Sequence, residues 1–408
     1  MAKARPVPLR PLARPSGRAV LPAIDALVAR DQPSEPLVCL RPAAIAAAAR
    51  DFTAAFPGEV LYAVKCNPDV RTLHAVWAGG VRRFDCASLP EIALVRRELP
   101  QASVHFMHPV KARHAIAAAF HRYGVTDFAL DSQDELEKIV QETVPVGLVG
   151  TPPTLGLFVR LAVAQGGIYA LSGKFGAAPI EAARLLRSAR PHAARLGICF
   201  HVGSQCLDPG AYVLAIALAA EVIAEAGVAV DIVDVGGGFP VSYPDAVPPP
   251  LDAYSGAIGE VAAALLGPEV RLWAEPGRAL VAGGGSVVVQ VELRRGDALY
   301  VNDGVYGCLS DAGRPGFRFP ARHIPADGAA PEPGAALRGF VLFGPTCDSA
   351  DRMDGPFLLP ETIDEGDWIE LGQLGAYGAC LRTGFNGFDA AATVEVSDPP
   401  LLRTPGYG

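Results

Sequence analysis

Several residue groupings in this chain have types and spacings suited to chemistry. The first is Tyr62-Ala-Val-Lys65-Cys-Asn-Pro68, with a lysine ending an apolar run. A lysine so placed is partly desolvated, which lowers its pKa and favours imine formation with a carbonyl. Lysines also end strands simply to reach water. The second grouping is a pair of glycine-rich turns, Asp234-Val-Gly236-Gly237-Gly238-Phe-Pro240 and Glu275-Pro-Gly277-Arg278. Backbone N–H groups in such turns can cradle a phosphate. Neither turn has the Walker A or dinucleotide spacing, so nucleotide binding is disfavoured. The third, Gly344-Pro-Thr-Cys347-Asp348-Ser-Ala-Asp-Arg352, sets a thiol beside a carboxylate in a polar turn. An accessible proton donor fits that setting better than a small buried hydrophobe does.

His201-Val-Gly-Ser204-Gln205 offers an imidazole that can act as a base, a ligand, a flat stacking face or a satisfied core residue. Gly375-Ala-Tyr377 and Phe385-Asn-Gly-Phe388 bring a phenol and aromatic faces next to glycines. His105, His108 and His114 lie close in sequence, but no carboxylates accompany them at a ligand spacing. No metal is expected.

The elements that must position these residues show in the alternation of apolar runs and Ala-rich stretches. Strands are predicted at Val60–Val64, Arg83–Ala87, Ser103–Met107, Thr126–Leu130, Gly156–Leu161, Leu196–Val202, Asp231–Val235 and Val270–Ala274. Helical composition and spacing fill Ala112–His121, Asp134–Glu142, Ile180–Ala189 and Tyr212–Ala226 between them. Eight strands, all but the last followed by a helix-like stretch, imply an α/β fold and a TIM-like (β/α)8 barrel; an open doubly wound sheet is the competitor. Lys65, Asp85, His108, Asp131, Arg160, His201, Gly236–Gly238 and Glu275 gather at the strands' C-terminal ends, the face where such barrels carry their sites. The two glycine turns then follow strands seven and eight, the usual phosphate position.

Beyond residue 280 the helical period disappears. Ser286–Leu293, Leu299–Asn302, Ala336–Phe343 and Asp367–Gln373 read as strands of a C-terminal all-β domain. Glu35–Arg41 is strand-like too and can pair with it. The expected division is an N-terminal arm and strand over 1–41, the barrel over 42–281 and the β-domain over 282–408.

The 408 residues are 50% hydrophobic and 19% charged, which suits soluble globular domains. A formal charge of -8 argues against a nucleic-acid surface. Eight scattered cysteines without a C-x-x-C pair point to reduced thiols and a cytoplasmic protein. Met1–Val20 lacks the apolar core of a signal peptide, and its basic residues among prolines read as a solvated arm. Ala211–Ala220, the longest plainly apolar run, is half of what a membrane span needs.

A phosphate cradle, an imine lysine, an acid for a pyridinium nitrogen and a ring-stacking histidine at one mouth are what pyridoxal 5′-phosphate requires. The motifs YAVKCNP, FDCAS, HVGSQ, DVGGGFP, EPGR, YVNDGVYG, GPTCDSADRM and GAY…FNGF resemble, in order and spacing, those of the fold-type III pyridoxal-phosphate decarboxylases of basic amino acids. Within that alanine racemase-like fold the ornithine decarboxylases are the nearest match. The resemblance implies that Lys65 binds the cofactor covalently, that Glu275 keeps the pyridine nitrogen protonated and that His201 stacks on the ring. It implies that Ser204, Gly236, Gly237, Gly238, Gly277, Arg278 and Tyr377 hold the phosphate, with Asp85 and Arg160 positioning Lys65 and supporting the site. Cys347 and Asp348 would reach the partner's site in a head-to-tail homodimer, with Phe385 beside the substrate. Asp311 is the acid nearest the family's second contact to the distal amine, and Gln205 stands where animal ornithine decarboxylases usually carry glycine. The implied activity is decarboxylation of L-ornithine to putrescine, with L-lysine as a second substrate. Diaminopimelate or arginine decarboxylation is the alternative within the fold, and a non-catalytic homologue resembling the antizyme inhibitors is the alternative of another class.

Overall fold

The computed structural model describes residues 21–143, 154–164, 166–169, 173–313, 318–328 and 335–405, so the basic arm, Arg314 and part of the Pro325–Pro333 loop lie outside the described residues. After a strand β1 (Leu37–Leu40), eight parallel strands close into a barrel. They are β2 (Glu59–Ala63), β3 (Arg83–Cys86), β4 (Ser103–Phe106), β5 (Asp127–Leu130), β6 (Leu155–Arg160), β8 (Ala193–Cys199), β10 (Ile232–Asp234) and β11 (Arg271–Ala274). The pair β11–β2 closes the ring, with Trp273 opposite Glu59. This closure excludes the open-sheet alternative. Two short strands, β7 (Gly167–Tyr169) and β9 (Ser204–Cys206), pair antiparallel as a separate ribbon.

Every barrel strand is followed by a helix, the last being the single turn Arg278–Val281. Local chemistry sets several boundaries. Asp69 Oδ1 accepts the Arg71 N–H at the start of Val70–Ala78. At the start of Leu89–Glu98 Ser88 Oγ accepts the Glu91 N–H, and the Glu91 carboxylate reaches back to accept the Ala87 N–H at 2.7 Å. Gly124 and Gly227, at φ 64° and 63°, end their helices in the left-handed conformation that glycine adopts without steric cost.

The barrel interior is packed. Leu61, Met107, Ala129, Phe158, Cys199, Ile232 and Trp273 fill it, the Phe158 and Trp273 rings stacking at 5.0 Å. Towards the strand starts, buried His105 places Nδ1 2.7 Å from Asp127 Oδ2 and Nε2 3.0 Å from Ser103 Oγ, while Arg195 binds Asp127 from the other side. His105 thus belongs to a polar plug at the foot of the barrel. His108 accepts the Val110 N–H at the mouth, and His114 is exposed on the helix Arg113–Tyr123. No metal-ligating cluster occurs among the described residues, and none of their helices is long and apolar enough to cross a membrane.

The C-terminal domain is an eight-stranded sheet of β1 with β12 (Gly285–Arg295), β13 (Ala298–Val301), β14 (Ala321–Ile324), β15 (Leu337–Phe343), β16 (Arg352–Pro360), β17 (Trp368–Leu371) and β18 (Ala392–Glu395). The order is β14-β17-β12-β13-β15-β16, with β1 antiparallel to β12 and parallel to β18. Three of these strands, β14, β16 and β18, have no distinct sequence signal. Arg352-Met-Asp-Gly-Pro is a poor strand former by composition, and its pairing with β15 supplies what propensity does not.

One buried charge network ties the chain's start to this sheet. Glu370 of β17 accepts from Arg41 at 2.7 Å and from Arg322 at 2.5 Å, both Arg41 and Glu370 being almost fully buried. Arg41 also donates to Ser286 Oγ and to the Asp398 and Pro399 carbonyls. Neutralising Glu370 would leave a dry guanidinium without its counter-charge, a loss of about 3–5 kcal/mol. Glu370→Gln should therefore move the urea midpoint clearly downward; an unchanged midpoint would mean that Ser286 Oγ and the two carbonyls satisfy Arg41 without it.

Candidate functional site

The barrel mouth gathers charged side chains from successive strand ends. Lys65 follows β2 in the one-turn helix Val64–Cys66, and its Nζ lies 3.4 Å from Asp85 Oδ2 at the end of β3. The lysine side chain is 46% exposed towards the cleft, whereas Asp85 is buried. Asp85 holds the ammonium above its ordinary range, with Tyr377 and Glu275 adding to it, and together they outweigh burial. The lowered lysine pKa expected from desolvation is thus overturned. Paired carboxylates dominate here, not dryness.

Glu275, next after β11, is buried and fixed by its own N–H, which donates to the Gly236 carbonyl at 2.8 Å. Its Oε1 finds no hydrogen-bond partner among the described residues. Burial pushes its carboxyl well above the usual range, with Asp234 and then Asp85 adding repulsion. Asp234, the last residue of β10, was not among the expected site residues. It is wholly buried, accepts the Gly236 N–H at 2.8 Å, and is pushed up to about 6 by burial against that hydrogen bond. Its place as a strand-end acid before three glycines was the available signal. His201 Nδ1 accepts the Gly203 N–H at 3.0 Å, and burial, then Arg160 and Lys65, push the ring well below its ordinary pKa. A neutral ring accepting at Nδ1 carries its proton on Nε2.

The glycines form a cradle that a side chain would fill. A Cβ on Gly236 would stand 2.0 Å from the Phe200 carbonyl oxygen; on Gly238, 2.5 Å from that of Gly203; on Gly277, 2.9 Å from Cys66 Cβ. On Gly237 it would meet both the Glu275 carbonyl and His201 Nε2. Gly236 and Gly238, at φ 69° and 107°, also need glycine's conformational freedom. Lys65, His201, Ser204, Gly237, Gly238, Glu275, Gly277, Arg278 and Tyr377 line one partly enclosed cleft. Tyr377, itself at φ 53°, donates its N–H to the Cys66 carbonyl and sets its ring 5.2 Å from the Arg278 guanidinium.

These features fit pyridoxal phosphate. A buried carboxyl oxygen without a partner, an amine open to the cleft, a flat neutral imidazole and a glycine cradle closed by an arginine are the donors and surfaces that a phosphorylated pyridine aldehyde needs.

The expected substrate residues are not in this cleft. Cys347 is exposed on the turn before β16, and its N–H donates to Asn386 Oδ1. Asp348 accepts from the Tyr306 hydroxyl at 2.5 Å and from the Ala350 N–H, which together hold its carboxyl below the usual range. Phe385 packs on Tyr306 with ring centroids 4.9 Å apart. Asp311 requires a correction. It is buried and paired with Arg278, Nη1 donating to Oδ2 at 2.5 Å, so it serves a guanidinium of its own chain and is not placed as a free acid for a substrate amine. A dry guanidinium demands that counter-charge. Tyr243, unanticipated from sequence, is the second acceptor for Arg278, at 2.7 Å.

Comparison with known proteins agrees with this geometry. Residues 42–282, more than half the chain, match the family model of the pyridoxal-dependent decarboxylase pyridoxal-binding domain, and residues 211–375 match that of the C-terminal sheet domain. A decarboxylase designated FlvG from Aspergillus flavus is 32% identical over 83% of this chain and 80% of its own length. A lysine/ornithine decarboxylase from Selenomonas ruminantium is 31% identical over 84% of each. The solved lysine/ornithine decarboxylase from Vibrio vulnificus, complexed with putrescine, superposes with a TM-score of 0.76 at 31% identity, over 92% of this chain and 97% of that one. The chain belongs to the pyridoxal-dependent decarboxylases, lyases that work with pyridoxal 5′-phosphate.

Proposed function

We propose that this enzyme decarboxylates L-ornithine to putrescine and CO2, a step of polyamine biosynthesis, accepts L-lysine as a second substrate, and works as a homodimer with two shared sites. The carrying observation is the division of its chemistry. The cleft holds Lys65, Glu275 and the glycine cradle, while the thiol and the ionised carboxylate of Cys347 and Asp348 sit on an exposed turn outside the cleft's lining. A head-to-tail partner would bring the two halves together. A carboxylate beside the proton donor suits a substrate with a distal ammonium, a charge-assisted contact. The likeness to lysine/ornithine decarboxylases supports the same substrate class. Eight unpaired cysteines suit a reducing compartment such as the cytoplasm.

In this reading Arg278, Ser204, Tyr377 and the N–H groups of Gly236, Gly237, Gly238 and Gly277 hold the phosphate. Bound there, pyridoxal phosphate supplies an electron-accepting ring for the pair released when CO2 leaves. Glu275 would keep a proton on the ring nitrogen, and His201 would offer its neutral imidazole face to the ring. Lys65 would supply the amine that holds the cofactor, with Asp85 and Arg160 positioning it. Cys347 of one subunit returns a proton to the substrate carbon in its partner's site, Asp348 binds the distal ammonium and Phe385 covers the alkyl chain.

CO2 release should be fastest with L-ornithine and measurable with L-lysine. Turnover confined to L-arginine or diaminopimelate would reassign the substrate, and none with any amino acid would favour a non-catalytic role. Glu275→Gln keeps the shape but removes the charge, and should slow the chemical step by about 10²-fold or more, read in single-turnover experiments; a near-normal rate would give the nitrogen's proton to another group. Lys65→Ala and Cys347→Ala subunits should each be inactive alone. Random exchange makes half the dimers mixed, each with one working site of two, so the mixture should recover roughly a quarter of wild-type activity. No recovery despite proven exchange would place Cys347 in its own subunit's pocket.

A further inference from the structure

The cation at the glycine-rich end of the cleft is already engaged. Arg278 Nη1 donates to Asp311 Oδ2 at 2.5 Å and to the Tyr243 hydroxyl at 2.7 Å, and Nη2 lies 3.4 Å from Asp311 Oδ1. The Arg278 and Asp311 side chains are each only 4% exposed, so solvent screens the pair little. The same guanidinium lines the cleft beside Gly237, Gly238 and Gly277. Asp311 makes no other side-chain hydrogen bond among the described residues, so Arg278 is its whole task there.

We propose that Asp311 is a positioning residue and a built-in counter-anion: it holds Arg278 in the cleft of the cofactor-free chain and competes with phosphate for the same guanidinium. The inference rests on the phosphate role proposed above for Arg278. A buried guanidinium lacking a counter-charge is strongly destabilising, so a chain whose cofactor has not arrived needs an anion of its own. Once a phosphate with nearly two negative charges sits at Arg278, the Asp311 carboxylate repels it through a medium of low dielectric. Asp311 thus stabilises the empty cradle and weakens its grip on the anion.

The direction of the guanidinium has a second source. The Tyr243 hydroxyl accepts a hydrogen bond from Nη1, and the segment carrying Tyr243 is clamped from both domains. Gln205 donates to the Val241 carbonyl at 2.5 Å and accepts the Val241 N–H at 3.1 Å, and Gln373 donates to the Ser242 carbonyl at 2.8 Å. Asp311→Asn keeps an oxygen for Nη1 and removes the charge, losing only the longer 3.4 Å acceptor for Nη2. Repulsion then disappears while the donors still point into the cradle, so phosphate affinity rises.

The test uses full-length enzyme stripped of cofactor and titrated with pyridoxal phosphate, inorganic phosphate and unphosphorylated pyridoxal. Asp311→Asn should bind both phosphorylated ligands about tenfold tighter, leave pyridoxal affinity unchanged, and melt at a lower temperature than wild type until phosphate is added. Tyr243→Phe keeps the ion pair and should bind phosphate no tighter. Unchanged or weaker phosphate affinity in Asp311→Asn would overturn the proposal. So would equal tightening for pyridoxal, or failure of the variant to fold both with and without phosphate. Phosphate affinity unaltered in Arg278→Ala would overturn the cradle assignment itself, and the inference with it.

Discussion

The structure depends on balancing buried charge at the barrel mouth. Asp85, Asp234 and Glu275 are buried there, facing the two cations Lys65 and Arg160. Three carboxylates in so dry a place cannot all ionise without opposing charge. The pKa directions follow from that constraint. Lysine is held protonated by Asp85, Glu275 and Asp234 are driven towards their neutral forms, and His201 is kept uncharged beside two cations. Such an array is costly as a mere structural device. A bound pyridine nitrogen and aldehyde would give those protons and that amine their partners.

The same constraint explains why two domains are needed. The barrel supplies Arg278, but the counter-charge Asp311 and the ring of Tyr377 come from the β-domain side. Gln373 reaches across to the barrel's 241–243 segment, and Glu370 neutralises Arg41, which leads into the helix Pro42–Ala55. Gln205, Gln373 and Tyr377 all take positive φ without being glycine, at 57°, 61° and 53°. Local strain of that kind persists only where packing over-determines it, and here it borders the cleft. The mouth is a joint product of both domains.

Chemistry beyond the cleft follows a different logic. Cys347 and Asp348 lie on an exposed turn steadied by Tyr306 and Asn386, with Phe385 half-exposed against it. Asp348 is held ionised by its own turn. Under the shared-site proposal a second copy would take both groups out of solvent and bring them to the cleft.

The alternation of eight apolar runs with helix-forming stretches specified the barrel, because parallel strands buried on both faces need continuous apolar sequence and crossover helices. The glycines of 236–238 and 277 were equally legible, since close backbone approach admits no side chain. Strands β14, β16 and β18 were not legible, because their pairing energy comes from neighbours distant in sequence. The role of Asp311 was hidden for the same reason: its partner lies 33 residues away in another domain. Lys65 shows the limit most sharply. Sequence placed it at a strand end and suggested a weakened ammonium, but only the fold set Asp85 3.4 Å from it and reversed the sign of the shift. Residue type and spacing determine which groups reach the mouth; the charges they carry there are decided by neighbours that only the closed barrel brings together, because electrostatic energy depends on distance in space and not along the chain.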